Sequence, residues 1–84
     1  SALRPLNAPR RVDVREDEAG QPQAIRLNGA WLEVANIEDT WRLEEEWWRD
    51  DSLARQYYET NTEDGRRITL FHDLIRGIWY AQKP

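Results

Sequence analysis

The segment from Trp41 to Arg49 concentrates the side chains of this sequence that are best suited to chemistry or recognition. It reads Trp-Arg-Leu-Glu-Glu-Glu-Trp-Trp-Arg and contains three of the five tryptophans beside three consecutive carboxylates. Successive carboxylates point to opposite faces on an extended segment, and on a helical turn they diverge by about 100°. Glu44, Glu45 and Glu46 therefore fit a solvated acidic strip, or a surface complementary to a basic partner, better than a metal site.

Trp47 and Trp48 are adjacent, and neighbouring residues of a regular strand or helix cannot both face one core. One interpretation is that both pack as a lid on the end of the domain. The other is that at least one of them contacts a partner, because tryptophan is enriched among the residues that dominate binding energy. The second interpretation predicts a partner-binding segment made of Trp41, Glu44, Glu45, Glu46, Trp47, Trp48 and Arg49.

The residue types of the common catalytic sites are scarce in this chain. Cysteine is absent, His72 is the one histidine, and the two serines are Ser1 and Ser52. The sequence contains no GxxxxGK, HExxH, CxxC or GxSxG motif. A single histidine on the inner face of a strand is more often structural than functional. We therefore expect no catalytic, cofactor-binding or metal site, and we predict that the protein is not an enzyme.

Length and charge place the chain among small soluble domains. Its 84 residues suffice for one domain, and its net charge of −4 disfavours a large phosphate-binding surface. No apolar run approaches the roughly 18 residues of a membrane helix, and no signal-peptide pattern is visible, so we expect a cytoplasmic protein. Residues 1–9 lack periodicity and are predicted to form a mobile N-terminal arm; residues 10–84 are predicted to form a single β domain.

Alternating apolar and polar residues predict six strands. The Asn28-Gly29 pair is a strong signal for a two-residue hairpin turn. It predicts that Leu27 pairs with Ala30 and Ile25 with Leu32, and it places Arg26 opposite Trp31, within reach of a cation–π contact. The predicted strands are Arg10–Glu16, a second strand ending at Leu27, Ala30–Ile37, Leu53–Thr62, Arg66–His72 and Ile78–Gln82.

The sequence also predicts three other connections between these strands. A three-residue loop, with Gly65 in the left-handed conformation, pairs Tyr58 with Leu70 and keeps apolar residues on one face. An odd-length turn around residues 74–77 is expected to bring Ile78 and Tyr80 to that same face. Between the third and fourth strands we predict a break at residues 38–40, then a hinge over residues 41–49 in which residues 44–51 form an irregular or helical turn.

These elements predict an all-β domain of six antiparallel strands, arranged as two three-stranded meanders. A partly open barrel of SH3-like character is favoured over a flat sheet, because a flat sheet would leave one aromatic face in water. The predicted core consists of Ile25, Leu27, Leu32, Val34, Ile68, Leu70, Ile78 and Tyr80.

Several motifs resemble a bacterial domain of unknown function that occurs as small standalone proteins. The resembling motifs are residues 41–49, Tyr57-Tyr58, residues 63–66 (Glu-Asp-Gly-Arg) and residues 72–80 (His-Asp-Leu-Ile-Arg-Gly-Ile-Trp-Tyr). The same stretch, about residues 10–82, is similar to the C-terminal segment of ImuB-type proteins, which are catalytically inactive relatives of Y-family DNA polymerases in damage-induced mutagenesis. The resemblance implies an accessory or protein-interaction role near DNA-lesion bypass, and it implies no catalytic residues.

We therefore expect a non-enzymatic protein-interaction module in a bacterial DNA-damage-tolerance (translesion synthesis) assembly. The expected partner is a protein, such as a component of a DNA-repair polymerase complex; a second copy of this chain, paired through strand edges, is the simplest alternative. A different hypothesis is a barrel that binds single-stranded nucleic acid by stacking bases on aromatic side chains. The eight acids between residues 33 and 51 argue against that hypothesis. A small enzyme or small-molecule binder is a weaker third interpretation.

Overall fold

The computed structural model describes residues 9–45 and 53–82, and these ranges form a small barrel of six antiparallel strands. Each strand pairs with the next one along the chain, and β1 pairs with β6 to close the barrel. The predicted all-β, SH3-like fold class is confirmed. Within the described ranges no helix is long and apolar enough to cross a membrane. The strands are β1 (Arg10–Glu16), β2 (Pro22–Leu27), β3 (Ala30–Glu45), β4 (Leu53–Thr62), β5 (Arg67–Asp73) and β6 (Ile78–Gln82).

Two predictions fall on chain segments outside the described residues. The predicted N-terminal arm, apart from Pro9, is one of them. The other covers residues 46–52, which include the Trp47-Trp48 pair and most of the predicted irregular or helical turn. Both remain predictions.

The β2–β3 hairpin has the predicted register. Leu27 pairs with Ala30 and Ile25 with Leu32. Asn28 and Gly29 have φ angles of 51° and 81°, so both central residues of the turn adopt the left-handed conformation that a type I′ turn requires. This turn matches the twist of the flanking strands, which is why the local sequence was sufficient to fix the pairing.

Arg26 and Trp31 are register partners, as predicted, but the cation that contacts the Trp31 ring comes from another strand. The guanidinium over the Trp31 ring belongs to Arg15, at 5.6 Å from the ring centroid. Arg15 pairs with Ala24 on β2 and also forms an ion pair with Glu33 of β3, at 2.7 Å. Because Ala24 has a small side chain, Arg15 can extend across β2 to reach β3.

The β4–β5 loop also has the predicted length and register. The Thr62 N–H donates to the Arg66 carbonyl at 2.8 Å, which leaves three residues in the loop, and Gly65 has a φ of 89°. Tyr58 consequently pairs with Leu70, as predicted. Both side chains are buried in the barrel.

Strand β3 is much longer than predicted, and the predicted break at residues 38–40 is wrong. The register with β4 shifts twice, between Val34 and Asn36 and between Ile37 and Asp39. Bulges of this kind bend a strand while its backbone pairing continues. They carry β3 from its pairing with β2 to its pairing with β4, and the strand continues to Glu45.

The predicted hinge over residues 41–49 is therefore wrong for residues 41–45. Trp41 pairs with Tyr57, and Glu45 pairs with Leu53. This pairing satisfies the β4 backbone polar groups that face β3, which a hinge would leave to water.

The β5–β6 turn has four residues, so the predicted odd-length loop is wrong. Asp73 pairs with Ile78, and the Asp73 carboxylate accepts hydrogen bonds from the backbone N–H groups of Ile75 and Arg76, both at 3.0 Å. Gly77 closes the turn with a φ of 73°. This register reverses the predicted faces of β6: Ile78 and Tyr80 point outward, and Trp79 and Ala81 point into the core.

The barrel interior contains six of the eight predicted core residues and excludes Ile78 and Tyr80. Trp79 takes a central place: its ring stacks on His72 at 4.4 Å and packs at a tilt against Tyr58 at 5.5 Å. Its indole N–H donates to the Glu16 carboxylate on β1 at 3.2 Å. The buried cluster consists of Ile25, Tyr58, Ile68, Leu70, Trp79 and Ala81, against which Val12, Val14, Leu27, Leu32, Val34 and Ile37 pack.

Candidate functional site on the outer face of the barrel

Of the seven predicted partner-binding residues, the structure describes the side chains of two, Trp41 and Glu44. Both are exposed on β3. Their separation of three residues puts them on opposite faces of the strand, so the structure does not bring them into one site. Glu44 forms an ion pair with Arg42 at 3.3 Å. Glu45 ends β3, and its side chain lies outside the described part of the chain, as do Glu46, Trp47, Trp48 and Arg49.

Trp41 begins a row of four aromatic side chains on the outside of the barrel, here called the aromatic row. Trp41 of β3, Tyr57 of β4, Phe71 of β5 and Tyr80 of β6 are successive register partners. Their neighbouring ring centroids lie 5.1, 5.1 and 4.9 Å apart. Such spacings are typical of favourable aromatic pairs.

The aromatic row is separate from the core. On β4, β5 and β6, the residues adjacent to its members, Tyr58, Leu70 and Trp79, point into the barrel instead. The part of the sheet formed by β3 to β6 therefore carries apolar side chains on both faces. An antiparallel sheet that faces water on one side normally has polar residues there. The outer face of these strands thus departs from the pattern expected of a solvated surface.

An inner member of the aromatic row, Phe71, is buried by its neighbours. Phe71 is only 1% exposed although it points outward. The Arg55 guanidinium lies over its ring, 4.4 Å from the centroid, and donates a hydrogen bond to the Tyr57 hydroxyl at 3.1 Å. Arg55 therefore covers Phe71 as an intramolecular cation–π partner.

The Trp41 end of the aromatic row is open to solvent. Trp41 is 41% exposed and Leu43 is 36% exposed. The Trp41 and Tyr57 rings are nearly parallel, with 4° between their planes. A shallow groove of about 370 Å³ adjoins them, lined by Trp41, Leu43, Tyr57, Glu59, Thr69 and Gln82. We refer to it as the Trp41 groove.

Carboxylates lie beside the Trp41 groove. Glu59 accepts a hydrogen bond from the Thr69 hydroxyl at 3.1 Å and lies 3.4 Å from Arg67 Nε. Arg67 also forms an ion pair with Glu38. A hydrogen bond from Asn61, together with the charge of Arg67, lowers the pKa of Glu38 below its ordinary value. Glu38 is therefore ionised at neutral pH.

Asp39 forms no ion pair with the residues that the structure describes, although Arg67 contacts two other acids nearby. Its register partner across the strand pair is Glu59, another acid. Its side chain accepts a hydrogen bond from the Thr40 N–H at 2.9 Å. Like charges placed directly opposite each other destabilise a strand pair.

Sequence reasoning identified Trp41 and missed the rest of this surface. The aromatic row requires the register across four strands, and two of those registers depend on the β3 bulges and the four-residue β5–β6 turn. The available signal was the Asp73-to-Gly77 spacing, which is typical of a four-residue turn stabilised by an aspartate. A four-residue turn between Asp73 and Ile78 makes Tyr80 the register partner of Phe71.

Within residues 9–45 and 53–82, no group of three or more histidine, cysteine or acidic residues is placed to hold a metal ion. Comparisons with protein-family models, with curated proteins and with solved structures found no match. A function for this chain must therefore be inferred from the geometry of its surface.

Proposed function

We propose that this domain is a non-enzymatic protein-interaction module and that the aromatic row with the Trp41 groove is its docking surface. One observation supports the proposal above all. Four aromatic side chains lie in register on the outside of a barrel whose inside is filled by a different set of side chains. Tryptophan and tyrosine are enriched at the centres of protein interfaces, where their rings contribute large apolar area.

The exposed end of the row offers enough apolar area to anchor a partner. A tryptophan that is two-fifths exposed still presents on the order of 100 Å² to water, and its burial would contribute about 2 kcal/mol. Leu43 lies two residues along the same face of β3 and adds to the patch. Burial of both side chains by a partner would make Trp41 the centre of a hot spot.

We place the partner in a bacterial DNA-damage-tolerance assembly, as a component of a lesion-bypass polymerase complex. The resemblance of residues 10–82 to the C-terminal segment of ImuB-type proteins supports this assignment. An accessory domain needs a docking surface and no reactive groups, and an exposed aromatic face beside carboxylates meets that need.

The test compares two exposed tryptophans. The immobilised domain and its Trp41→Ala and Trp31→Ala variants are incubated with extracts of DNA-damaged cells of the native host, and retained proteins are identified by mass spectrometry. Trp31 is a matched control because it is 47% exposed but lies on the β2–β3 hairpin, outside the row. We expect the wild type and Trp31→Ala to retain a lesion-bypass polymerase component and Trp41→Ala to lose it. Equal retention by Trp41→Ala would refute the docking surface.

The alternative function is the binding of single-stranded nucleic acid. The parallel stack of Trp41 on Tyr57 is the feature that favours it, since exposed aromatic rings on small barrels can stack bases. Asp39 and Glu59 lie beside this stack and would repel a phosphate backbone. We therefore expect no change in tryptophan fluorescence when a short single-stranded oligonucleotide is added at physiological salt. Micromolar binding that weakens steeply with salt would reverse the order of the two hypotheses.

A further inference from the structure

We infer that the Trp41 groove takes a cationic side chain, an arginine, from an extended segment of the protein partner. The inference rests on the proposed function and specifies the chemistry of the group that docks beside Trp41. It is supported by the local charge balance, by the order of side chains along two paired strands and by a comparison among the aromatic residues of the surface.

The charge balance favours a cation. The carboxylates of Glu38, Asp39 and Glu59 lie on the neighbouring strands β3 and β4, and the described cation beside them is Arg67. Arg67 contacts Glu38 and Glu59, which leaves Asp39 opposite Glu59 with no described counterion. A cation bound between these two acids would convert an unfavourable cross-strand pair into a favourable one.

The order of side chains places aromatic and acidic groups within reach of a single ligand. On β3, Asp39 precedes Trp41 by two residues; on β4, Glu59 follows Tyr57 by two residues. Asp39–Glu59 and Trp41–Tyr57 are both register pairs, and they are successive cross-strand pairs on the outer face, about 7 Å apart along the strands. A planar guanidinium can stack on the aromatic pair while it donates hydrogen bonds to the carboxylates of the acidic pair.

Other aromatic residues on the outer surface already carry an arginine. Arg55 lies over Phe71 at 4.4 Å, and Arg15 lies over Trp31 at 5.6 Å. Trp41 has no such cation among the described residues, and Arg42 points to the opposite face of β3. The Trp41 groove thus combines an uncovered ring with a lining carboxylate, Glu59, that lies opposite Asp39, and an arginine from another chain can contact both groups.

The test uses two defined peptides of ten residues that alternate valine with arginine or valine with citrulline. Citrulline has nearly the same shape as arginine but no charge. Binding to the isotope-labelled domain is followed by NMR through the indole N–H of Trp41 and the backbone N–H groups of Glu59 and Thr69. The indole N–H groups of Trp31 and Trp79 are internal references.

We expect the arginine peptide to shift the Trp41 signals and to bind about tenfold more tightly than the citrulline peptide. Glu59→Gln and Asp39→Asn keep the shape of each side chain and remove its charge, so each should weaken binding by roughly three- to tenfold. Glu33→Gln is the matched control, because Glu33 is an exposed carboxylate on β3 that pairs with Arg15, away from the groove. This control should leave the affinity unchanged.

The inference is overturned if both peptides bind with equal affinity, if the arginine peptide leaves the Trp41 signals unmoved, or if Glu33→Gln weakens binding as much as Glu59→Gln. Equal binding of both peptides that is lost in Trp41→Ala would refute the arginine preference and leave the docking surface standing. Failure of the docking surface itself is detected separately, by unchanged partner retention in Trp41→Ala.

Discussion

Asp73 shows how one buried carboxylate determines which face of a strand enters the core. Its Oδ1 accepts hydrogen bonds from the Ile75 and Arg76 N–H groups at 3.0 Å, and its Oδ2 forms an ion pair with the Arg76 guanidinium at 3.1 Å. Burial alone would raise the pKa of this carboxyl, but the bonds from Arg76 and Ile75 outweigh it and hold the pKa below its ordinary value. The ionised form is therefore the one that stabilises the turn.

We predict that Asp73→Ala lowers the free energy of unfolding by about 1–3 kcal/mol at pH 7, because it removes several hydrogen bonds from a buried turn. Since the pKa of Asp73 is lower in the folded than in the unfolded state, the carboxylate contributes fully above the unfolded value of about 3.9. That contribution is lost as the pH falls below this value and through the folded pKa.

Urea unfolding of the wild type and of Asp73→Ala at pH 7 and pH 3 measures this effect. The difference in stability between the two proteins should be smaller at pH 3. A difference of the same size at both values would show that the charge of Asp73 does not contribute to the turn.

At the scale of elements, the members of the aromatic row differ in exposure, and we expect the buried ones to stabilise the fold and the exposed ones to bind the partner. Phe71 is 1% exposed and Trp41 is 41% exposed, although both belong to one row. We predict that Phe71→Ala costs about 3–5 kcal/mol, as for a core aromatic residue. Trp41→Ala should cost only about 1–2 kcal/mol, because it removes one stacked pair and leaves no enclosed cavity.

Thermal and urea unfolding of both variants, with circular dichroism as the probe, checks this difference. Leu70→Ala is the control, since Leu70 is fully buried on the inner face of the same strand as Phe71. If Phe71→Ala is no more destabilising than Trp41→Ala, the outer row does not contribute to the fold.

The two ends of β3 differ in how well the sequence predicted their structure, and the difference has a physical reason. At the β2–β3 hairpin, the turn residues Asn28 and Gly29 and the apolar alternation point to the same register, so prediction succeeded. Farther along, two bulges interrupt the alternation, and the acidic residues Glu38 and Asp39 are typical of a turn. The strand continues because β4 pairs with it, which is a tertiary interaction that no local pattern reports.

The candidate site was less predictable than the fold for the same reason. Trp41 was identified from its residue type, but its neighbours Tyr57, Phe71 and Tyr80 come from three other strands. Their alignment depends on the strand registers more than on local composition. The four-residue turn after Asp73 shifted Tyr80 from the predicted core to the outer surface, and this shift completed the row.

At the scale of the whole molecule, the barrel closes between β1 and β6 and leaves an edge on β3. From Val34 to Glu45, β3 pairs with β4. Its pairing with β2 ends at Glu33, and no other described strand covers the opposite edge. An edge of this length can pair with an added strand, including the same edge of a second copy.

Charge opposes such self-pairing. Each chain has a net charge of −4, and the acids Glu38, Asp39 and Glu44 lie along this edge of β3. In an antiparallel pair of β3 strands, these acids would face those of the second copy, and repulsion between exposed charges weakens as salt screens them. Self-association through β3 must therefore increase with ionic strength.

We predict that sedimentation velocity detects mainly monomer at about 20 mM salt and a growing share of dimer at about 500 mM, where the screening length falls from roughly 20 Å to below 5 Å. Hydrogen exchange provides the structural check. In an antiparallel ladder, alternate N–H groups of residues 40–45 point toward β4 and are protected, while the others point to the open edge and exchange rapidly. The second set should gain protection in high salt if the edge pairs. A dimer that weakens with salt, or one that forms while these N–H groups stay unprotected, would exclude pairing through the β3 edge.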